Sequence, residues 1–223
     1  MTDYPEAFSA EGAITKATKR HEDKEVTSWR PSRIGACRTG LYLERLGVKS
    51  DTEFDARTLR VFETGKIFER WISDLLKQEA RTYQEQVRLE WPEQDVTGYA
   101  DALVNDMLVY EYKTKHSKSF WYMKDKGEGP SLHNQMQLWL ALKILDKPEG
   151  RLCYISKDDL SILEYIVFLK NESLEKATME ELRVLNLAWK EKVAPRPIKD
   201  PKDWRNRYCR WHQGCLSQSE YLD

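Results

Sequence analysis

One stretch of the sequence, residues 99–115 (YADALVNDMLVYEYKTK), constrains the fold more than any other. Two runs of strand-forming residues flank an Asn-Asp pair that favours a turn, so the stretch predicts an antiparallel β-hairpin. Within the hairpin lie Asp101, Glu111 and Lys113, whose charges are unusual in the middle of an apolar strand. The arrangement raises the question of whether the three side chains meet at one point.

The loop of the hairpin decides the answer. Glu111 and Lys113 are two residues apart in one strand and therefore share a face. Asp101 joins that face only if it pairs with Glu111, which requires an odd-numbered loop such as residues 105–107, or a bulge. A two-residue turn would pair Asp101 with Tyr110 and place it on the other face. The sequence leaves both registers open.

If Asp101 and Glu111 converge, they predict a metal site. Two carboxylates a few ångströms apart repel each other, and each resists ionisation unless a cation lies nearby. Mg²⁺ or Mn²⁺ would suit them, because hard cations take carboxylates, water and substrate phosphate as ligands. Lys113 would then orient a water molecule or neutralise charge on a phosphate. The alternative is a solvated hairpin face with an incidental Glu-x-Lys pattern.

The rest of the chain predicts one mixed α/β domain in which helices flank a central sheet. The periodicities predict helices over 33–46, 56–79, 131–146 and 173–192, further strands over 85–91, 150–156 and 161–169, and a loop over 115–130. Ser32 and Ser131 are the expected N-caps of two of these helices. In the helix over 56–79, the expected buried face consists of Val61, Phe68, Ile72, Leu75 and Leu76.

Charge and hydropathy limit the class of protein. The formal net charge of the 223 residues is −1, so binding to a polyanion depends on local clusters of lysine and arginine. The sequence has no apolar run of roughly 18 residues and no secretory leader pattern. We therefore expect a cytoplasmic protein that does not contact membranes.

Residues 113–129 (KTKHSKSFWYMKDKGEG) mix cations with aromatic side chains. Cations neutralise phosphates and aromatic faces accept unstacked bases, a combination that suits single-stranded DNA. WRPSR at 29–33 and WRNRYCRWH at 204–212 are expected to line the other side of the substrate. The alternative for the first segment is a solvated lysine-rich loop.

Several short patterns occur in a particular order along the chain. They are Gly65-x-x-x-Glu69, Gly98-x-x-Asp101, Glu111-x-Lys113, Gln135-x-x-x-Trp139 and the strand pair RLCYISKDDLSILEYIVF. Together, over residues 30–216, they resemble the RecB-like branch of the PD-(D/E)XK nuclease superfamily. This branch includes the iron–sulfur exonucleases of CRISPR adaptation and related phage and recombination exonucleases. Trp139 stands where the family has tyrosine, and we expect it to be a core residue.

The resemblance implies roles for these residues. Asp101 and Glu111 would hold Mg²⁺ or Mn²⁺, the Tyr112 carbonyl would be a third ligand, and Glu69 would add a direct or water-mediated one. Lys113 would be the catalytic amine. Gln135 would orient the site or contact DNA, unless it merely caps a polar helix face. Gly65 in mid-helix costs about 1 kcal/mol relative to alanine, which suggests that something packs closely against it.

Cys37 and the Cys209-x-x-His212-x-x-Cys215 pattern resemble the iron–sulfur members of the branch. Those members have one N-terminal and three C-terminal cysteines, but this chain has Asn206 at the position of the first C-terminal cysteine. With His212 as fourth ligand, the set would suit structural Zn²⁺ or, less commonly, an iron–sulfur cluster. The alternative is a set of buried thiols. Cys153, on an apolar strand, is expected in the core.

These inferences predict a metal-dependent DNA exonuclease that cleaves single strands or duplex ends in recombination, repair or phage DNA processing. We expect an N-terminal arm over 1–28, the nuclease domain over 29–192 and a tail over 193–223 that packs with the N-terminal helical region. The alternatives are a catalytically silent DNA-binding module and a nuclease subunit of a recombination or CRISPR adaptation complex.

Overall fold

The computed structural model describes residues 12–14, 16, 25–198, 200, 202–216 and 221–222, so most of the arm expected over 1–28 lies outside the described residues. Five strands form the main sheet, in the order β1-β2-β3-β4-β5. They are β1 (Tyr83–Trp91), β2 (Val96–Val104), β3 (Leu108–Lys115), β4 (Glu149–Ser156) and β5 (Ile162–Phe168). The mixed α/β class expected from the sequence is confirmed.

Helices pack on both faces of this sheet. They are α1 (Arg38–Arg45), α2 (Ala56–Glu79), α3 (Ser117–Lys126), α4 (Leu132–Leu145) and α5 (Glu172–Glu191), with short helices α6 (Trp204–Arg207) and α7 (His212–Leu216) in the tail. Two 3₁₀ turns, Pro31–Arg33 and Pro92–Gln94, and a small parallel pair, β6 (Ala194–Pro195) with β7 (Tyr221–Leu222), complete the described elements.

The sheet is antiparallel except between β3 and β4, which pair in parallel. A parallel pair needs a crossover, and α3 and α4 supply it. Ser131 caps α4 as expected, since its side chain accepts a hydrogen bond from the Asn134 N–H. All seven residues from Met136 to Leu142 are buried, and Trp139 is a fully buried core residue as predicted. Helix α4 therefore covers one sheet face closely.

Two expected elements differ from the structure. The helix expected over 33–46 begins only at Arg38. A 3₁₀ turn precedes it, and Gly35 then has a φ of 90°, which a right-handed helix cannot accommodate. The loop expected over 115–130 contains helix α3. Its residues Phe120 and Met123, three apart, are both buried, so tertiary burial selects a helix in a lysine-rich stretch.

The buried face expected for α2 is partly wrong. Ile72 is buried, and Phe68 and Leu76 are partly buried against the same cluster, but Val61 and Leu75 are 41% and 46% exposed. Helix α2 touches the sheet along the row formed by Phe68, Ile72 and Leu76, one turn apart. Leu75 is rotated away from this row onto the flank of the helix.

The tail packs against α1. The Thr39 hydroxyl donates to the Pro195 carbonyl at 2.8 Å, and the Trp211 indole N–H donates to the Val48 carbonyl at 2.7 Å. Tyr42, Leu43 and Trp211 share a small apolar cluster with the end of α5. Within the described residues, no helix combines the length and the apolar character that crossing a bilayer demands.

Candidate active site

The hairpin has the register that brings Asp101 towards Glu111. Val104 pairs with Leu108 and Ala102 with Tyr110, which leaves a three-residue loop over 105–107. Asn105 and Asp106 adopt φ values of 53° and 56°, a left-handed conformation that Asn and Asp tolerate better than other non-glycine residues. The odd-numbered loop is therefore present, and the two-residue turn is not.

Both neighbours of β2 lose their pairing with it at Asp101. Pairing with β3 ends at Ala102, and pairing with β1 skips Gln86, whose φ is 47°. The Tyr112 N–H instead donates to Oδ2 of Asp101 at 2.8 Å. The carboxylate thus replaces a backbone acceptor and is held between the separating strands.

Glu111 is at the centre of a small buried network. Its side chain is only 3% exposed, and its Oε1 accepts from Lys113 Nζ at 2.6 Å and from Gln137 Nε2 at 2.5 Å. Lys113 Nζ also donates to Gln137 Oε1 at 3.0 Å. Each of the three side chains thus contacts both others, and the amide orientation of Gln137 is determined by its two charged neighbours.

Burial controls the ionisation of the two acids. It raises the pKa of Glu111 to about 8, and the nearby Asp101 adds to the effect while Lys113 opposes it. Burial also raises the pKa of Asp101 above its usual range. For Lys113, burial acts to lower the pKa, but the charges of Glu111 and Asp101 outweigh burial and leave the pKa raised. The two acids thus share one ammonium group, and a further cation would favour ionisation of both.

Glu69 of α2 faces the same region. Burial, followed by repulsion from Asp101, raises the pKa of Glu69 to about 7. Its Oε1 accepts from Gln86 Nε2 at 2.6 Å, so the residue that interrupts β1 also holds Glu69. The close packing expected at Gly65 is wrong: an added Cβ would meet Thr114 Oγ1 at 3.9 Å, an ordinary contact distance.

Gln137 is the residue that sequence reasoning missed. Gln135, named instead, donates its side-chain amide to the Pro130 carbonyl at 2.8 Å, whereas Gln137 contacts both Glu111 and Lys113. The available signal was a lone amide in the apolar run MQLWLAL, because a polar side chain buried in a core requires a polar partner. Only the helix rotation shows which glutamine is buried.

The cysteines form a separate cluster. The thiols of Cys209 and Cys215 hydrogen-bond to Cys37, which lowers the pKa of Cys37 and raises the pKa of its two partners. His212 is exposed at the start of α7. The Asn206 amide donates to the carbonyls of Ile198 and Asp200 at 2.8 and 2.7 Å. Cys153, by contrast, is buried in the sheet as expected.

No three histidine, cysteine, aspartate or glutamate side chains in the described part of the chain are arranged to hold a metal ion. This applies to the thiol cluster as well as to the acids of the hairpin.

The aromatic residues expected to contact DNA divide into two groups. Trp29, Phe120 and Trp211 are buried, and the indole N–H of Trp29 donates to Asn186 Oδ1 at 2.7 Å, so they cannot accept bases as expected. Trp121, Tyr122 and Trp204, by contrast, are 36%, 53% and 46% exposed. The buried residues fill the junctions between elements, where large aromatic side chains contribute most to packing.

No family model and no curated protein matches the sequence, whereas several solved structures resemble the fold. SSO0001 has a TM-score of 0.59 and 19% identity, covering 96% of each chain. An alkaline exonuclease (LHK-Exo) from Laribacter hongkongensis has a TM-score of 0.55 and 14% identity over 81% of this chain and 93% of its own. The same exonuclease in complex with dAMP has a TM-score of 0.55 and 14% identity over 74% and 89% of the two chains. The sheet order, the flanking helices and these neighbours show that this chain has the mixed α/β fold of those structures, the PD-(D/E)XK-like fold expected from its sequence.

Proposed function

We propose that this chain is a Mg²⁺- or Mn²⁺-dependent DNA exonuclease that acts on single strands or duplex ends. The observation that supports this most directly is the buried network in which Lys113 contacts Glu111 beside Asp101. A solvated hairpin face would have no reason to bury Glu111 and to half-bury Asp101 beside it. The exonuclease named among the structures of the same fold agrees with the proposal.

The donor atoms fit a hard divalent cation. Mg²⁺ is commonly held by only one or two carboxylates, with water and substrate phosphate as its other ligands, so a third acidic side chain is not required. Lys113 and Gln137 both occupy Oε1 of Glu111, so Oε2 is the oxygen with which Glu111 would bind the ion. Oδ2 of Asp101 accepts the Tyr112 N–H, which assigns the same task to Oδ1. The Tyr112 carbonyl and Glu69 would complete the set, Glu69 directly or through water.

The bound cation, Lys113 and Gln137 would have different roles in hydrolysis. The bound cation would supply Lewis acidity and lower the pKa of a water ligand. Lys113 would hold the attacking water or a phosphate oxygen, and Gln137 would position its amine. The water oxygen would form a bond to phosphorus as the bond to the 3′ oxygen breaks. The products would be a 5′-phosphate and a 3′-hydroxyl, and the 3′ oxygen would take up a proton.

For the cysteines, we propose a soft-metal site that ties α1 to the tail. The Cys37 thiol contacts those of Cys209 and Cys215, and thiolates are the ligands that Zn²⁺ and iron–sulfur clusters take. His212 is the candidate fourth ligand, although it is exposed here. Absorbance near 400 nm in the purified protein would indicate an iron–sulfur cluster, and zinc found by metal analysis would indicate the other centre. Colourless protein without zinc would reject both.

The nuclease proposal is tested with labelled single-stranded DNA and with duplexes, in Mn²⁺, in Mg²⁺ and in a chelator. The wild type should cleave only with metal, and Glu111→Gln should not cleave. Glu164→Gln, on the exposed face of β5, is the matched control and should cleave like the wild type. Binding without cleavage would support the silent DNA-binding module. Cleavage that requires an added partner would support the subunit of a recombination or CRISPR adaptation complex.

A further inference from the structure

Helix α3, which directly follows the strand that carries Lys113, has an exposed aromatic surface. Phe120 and Met123 anchor the helix in the core, while Lys118, Trp121 and Tyr122 are exposed. Residues three and four apart lie on one side of a helix, so the exposed three form one continuous face. This aromatic surface is not used by the mechanism proposed above.

Trp121 is held in one orientation by neighbours from another part of the chain. Its indole N–H donates to Asp159 Oδ2 at 2.7 Å, and Asp159 lies in the turn between β4 and β5. The adjacent Asp158 accepts the backbone N–H of Ser117 at 2.7 Å, which fixes the start of the same helix. An exposed indole that is already oriented loses little conformational freedom when a flat ligand stacks on it.

A lysine side chain lies over the Trp121 ring. Nζ of Lys124 lies 4.6 Å from the centroid of the Trp121 ring. Lys118 and Lys126 are also exposed on α3, but Asp125 and Glu128 are exposed in the same segment and offset part of their charge. The net charge of this segment is therefore too small to dominate DNA binding, and base stacking would have to supply the preference for single-stranded DNA.

The position of α3 in the chain limits the distance between Trp121 and Lys113. Strand β3 carries Lys113, and α3 begins only four residues after it, at Ser117. An extended stretch of four residues spans about 13 Å and a helical turn adds about 5 Å, so Trp121 lies within roughly 20 Å of Lys113 along the chain. A strand bound at Lys113 can therefore reach Trp121 within a few nucleotides.

We propose that Trp121 is a stacking platform for an unpaired base of the bound strand, a few nucleotides from the scissile phosphate. The inference rests on the proposed nuclease function and narrows its substrate to DNA with unpaired bases at that position. Bases inside a duplex already stack on their neighbours and have no free face for the indole. Single strands and overhanging or frayed ends meet this requirement, whereas intact blunt duplexes do not.

Binding is measured by fluorescence anisotropy in the Lys113→Ala background, with a labelled oligothymidylate and a labelled blunt duplex. Adding Trp121→Ala should weaken binding of the single strand about tenfold, in line with the loss of one base–aromatic stack, and should change duplex binding little. Trp121→Phe, which keeps a ring but cannot donate to Asp159, should recover part of the loss. The stacking role of Trp121 would be refuted if Trp121→Ala left the single-strand affinity unchanged, or if it weakened binding of the single strand and the duplex equally.

The matched control is Trp71→Ala, because Trp71 is 40% exposed on α2, a different helix. It should leave single-strand affinity unchanged. A second measurement needs no change to Trp121: single abasic sites are placed in turn along the oligonucleotide, and one position should bind more weakly than the rest. A flat profile along the strand would overturn the platform even if Trp121→Ala failed to fold.

The two proposals fail separately. If the wild type never cleaves DNA but still binds single strands through Trp121, the nuclease proposal fails and the platform stands. If the wild type cleaves with metal and Trp121→Ala binds single strands as tightly as before, only the platform fails.

Discussion

Asp101 Oδ2 accepts the backbone N–H of Tyr112 at 2.8 Å, at the point where β2 stops pairing with β3. This contact places a carboxylate where a strand would normally provide a carbonyl. One oxygen of Asp101 therefore has a structural role, and we propose that the charge of the carboxylate serves to hold the metal ion.

Replacing Asp101 with asparagine should separate these two contributions. Asparagine retains an oxygen that can accept the Tyr112 N–H, so the melting temperature should stay near that of the wild type. The lost charge should lower the cleavage rate about 100-fold or more. Asp101→Ala should lose the same activity and also about 1 kcal/mol of stability, because the N–H loses its acceptor. Wild-type cleavage by Asp101→Asn would contradict the metal-ligand role.

Removing the amine should stop cleavage without unfolding the protein. In Lys113→Ala, Glu111 keeps its contact with Gln137 and can remain protonated, since burial raises the pKa of Glu111 to about 8. We expect cleavage to fall about 100-fold or more, with circular dichroism and DNA binding largely retained. Lys170→Ala, exposed between β5 and α5, is the control. Comparable rates for both variants would refute the catalytic lysine.

The two glutamines of α4 provide a direct comparison. Gln137→Ala should lower the cleavage rate about tenfold, because Lys113 and Glu111 lose the amide that orients them. Gln135→Ala removes only a contact with the Pro130 carbonyl and should be nearly neutral. In Gln137→Ala, the cleavage rate should fall with little change in the substrate concentration at half-saturation. A larger effect at Gln135 would favour the motif assignment made from sequence.

The stability of the metal-free protein should depend on pH. Burial raises the pKa of Glu111 to about 8 and that of Glu69 to about 7, so the folded state holds protons that the unfolded chain releases near its ordinary carboxyl pKa. These groups therefore stabilise the fold at acidic pH, and their contribution is lost as pH rises from about 5 to 8. Differential scanning fluorimetry in a chelator should show this decline.

Added Mg²⁺ should change this dependence, because the ion binds the deprotonated acids. Stabilisation by Mg²⁺ should be larger at pH 8 than at pH 6. In Glu111→Gln the decline should be smaller and the response to Mg²⁺ weak. A thermal shift that Mg²⁺ produces equally at both pH values would argue against binding at these acids.

Gly65 tests the packing of α2. A Cβ at this position would meet only Thr114 Oγ1, at 3.9 Å, so Gly65→Ala should stabilise the protein by about 1 kcal/mol through helix propensity. Gly40→Ala is the contrasting variant, since its Cβ would lie 2.9 Å from Cys209 Sγ and should destabilise the protein. Chemical denaturation measures both. Destabilisation by Gly65→Ala would reveal a closer neighbour at α2 than the structure shows.

Local patterns in the sequence were sufficient for much of the fold. The mixed α/β class, helix α2 and the capped start of α4 follow from hydrophobic periods and turn residues that act over a few positions. The candidate pair Asp101 and Glu111 was also visible, because acids in strand-forming runs are conspicuous without knowledge of their neighbours.

Tertiary contacts decided the rest. The loop over 105–107 selects the register that aligns Asp101 with Glu111, a choice the sequence left open between two loop lengths. The rotation of α4 against the sheet selects Gln137 over Gln135, and burial of Phe120 turns an expected loop into α3. Each of these outcomes depends on which surfaces meet across the core. That information is shared between segments far apart in the chain and is contained in none of them alone.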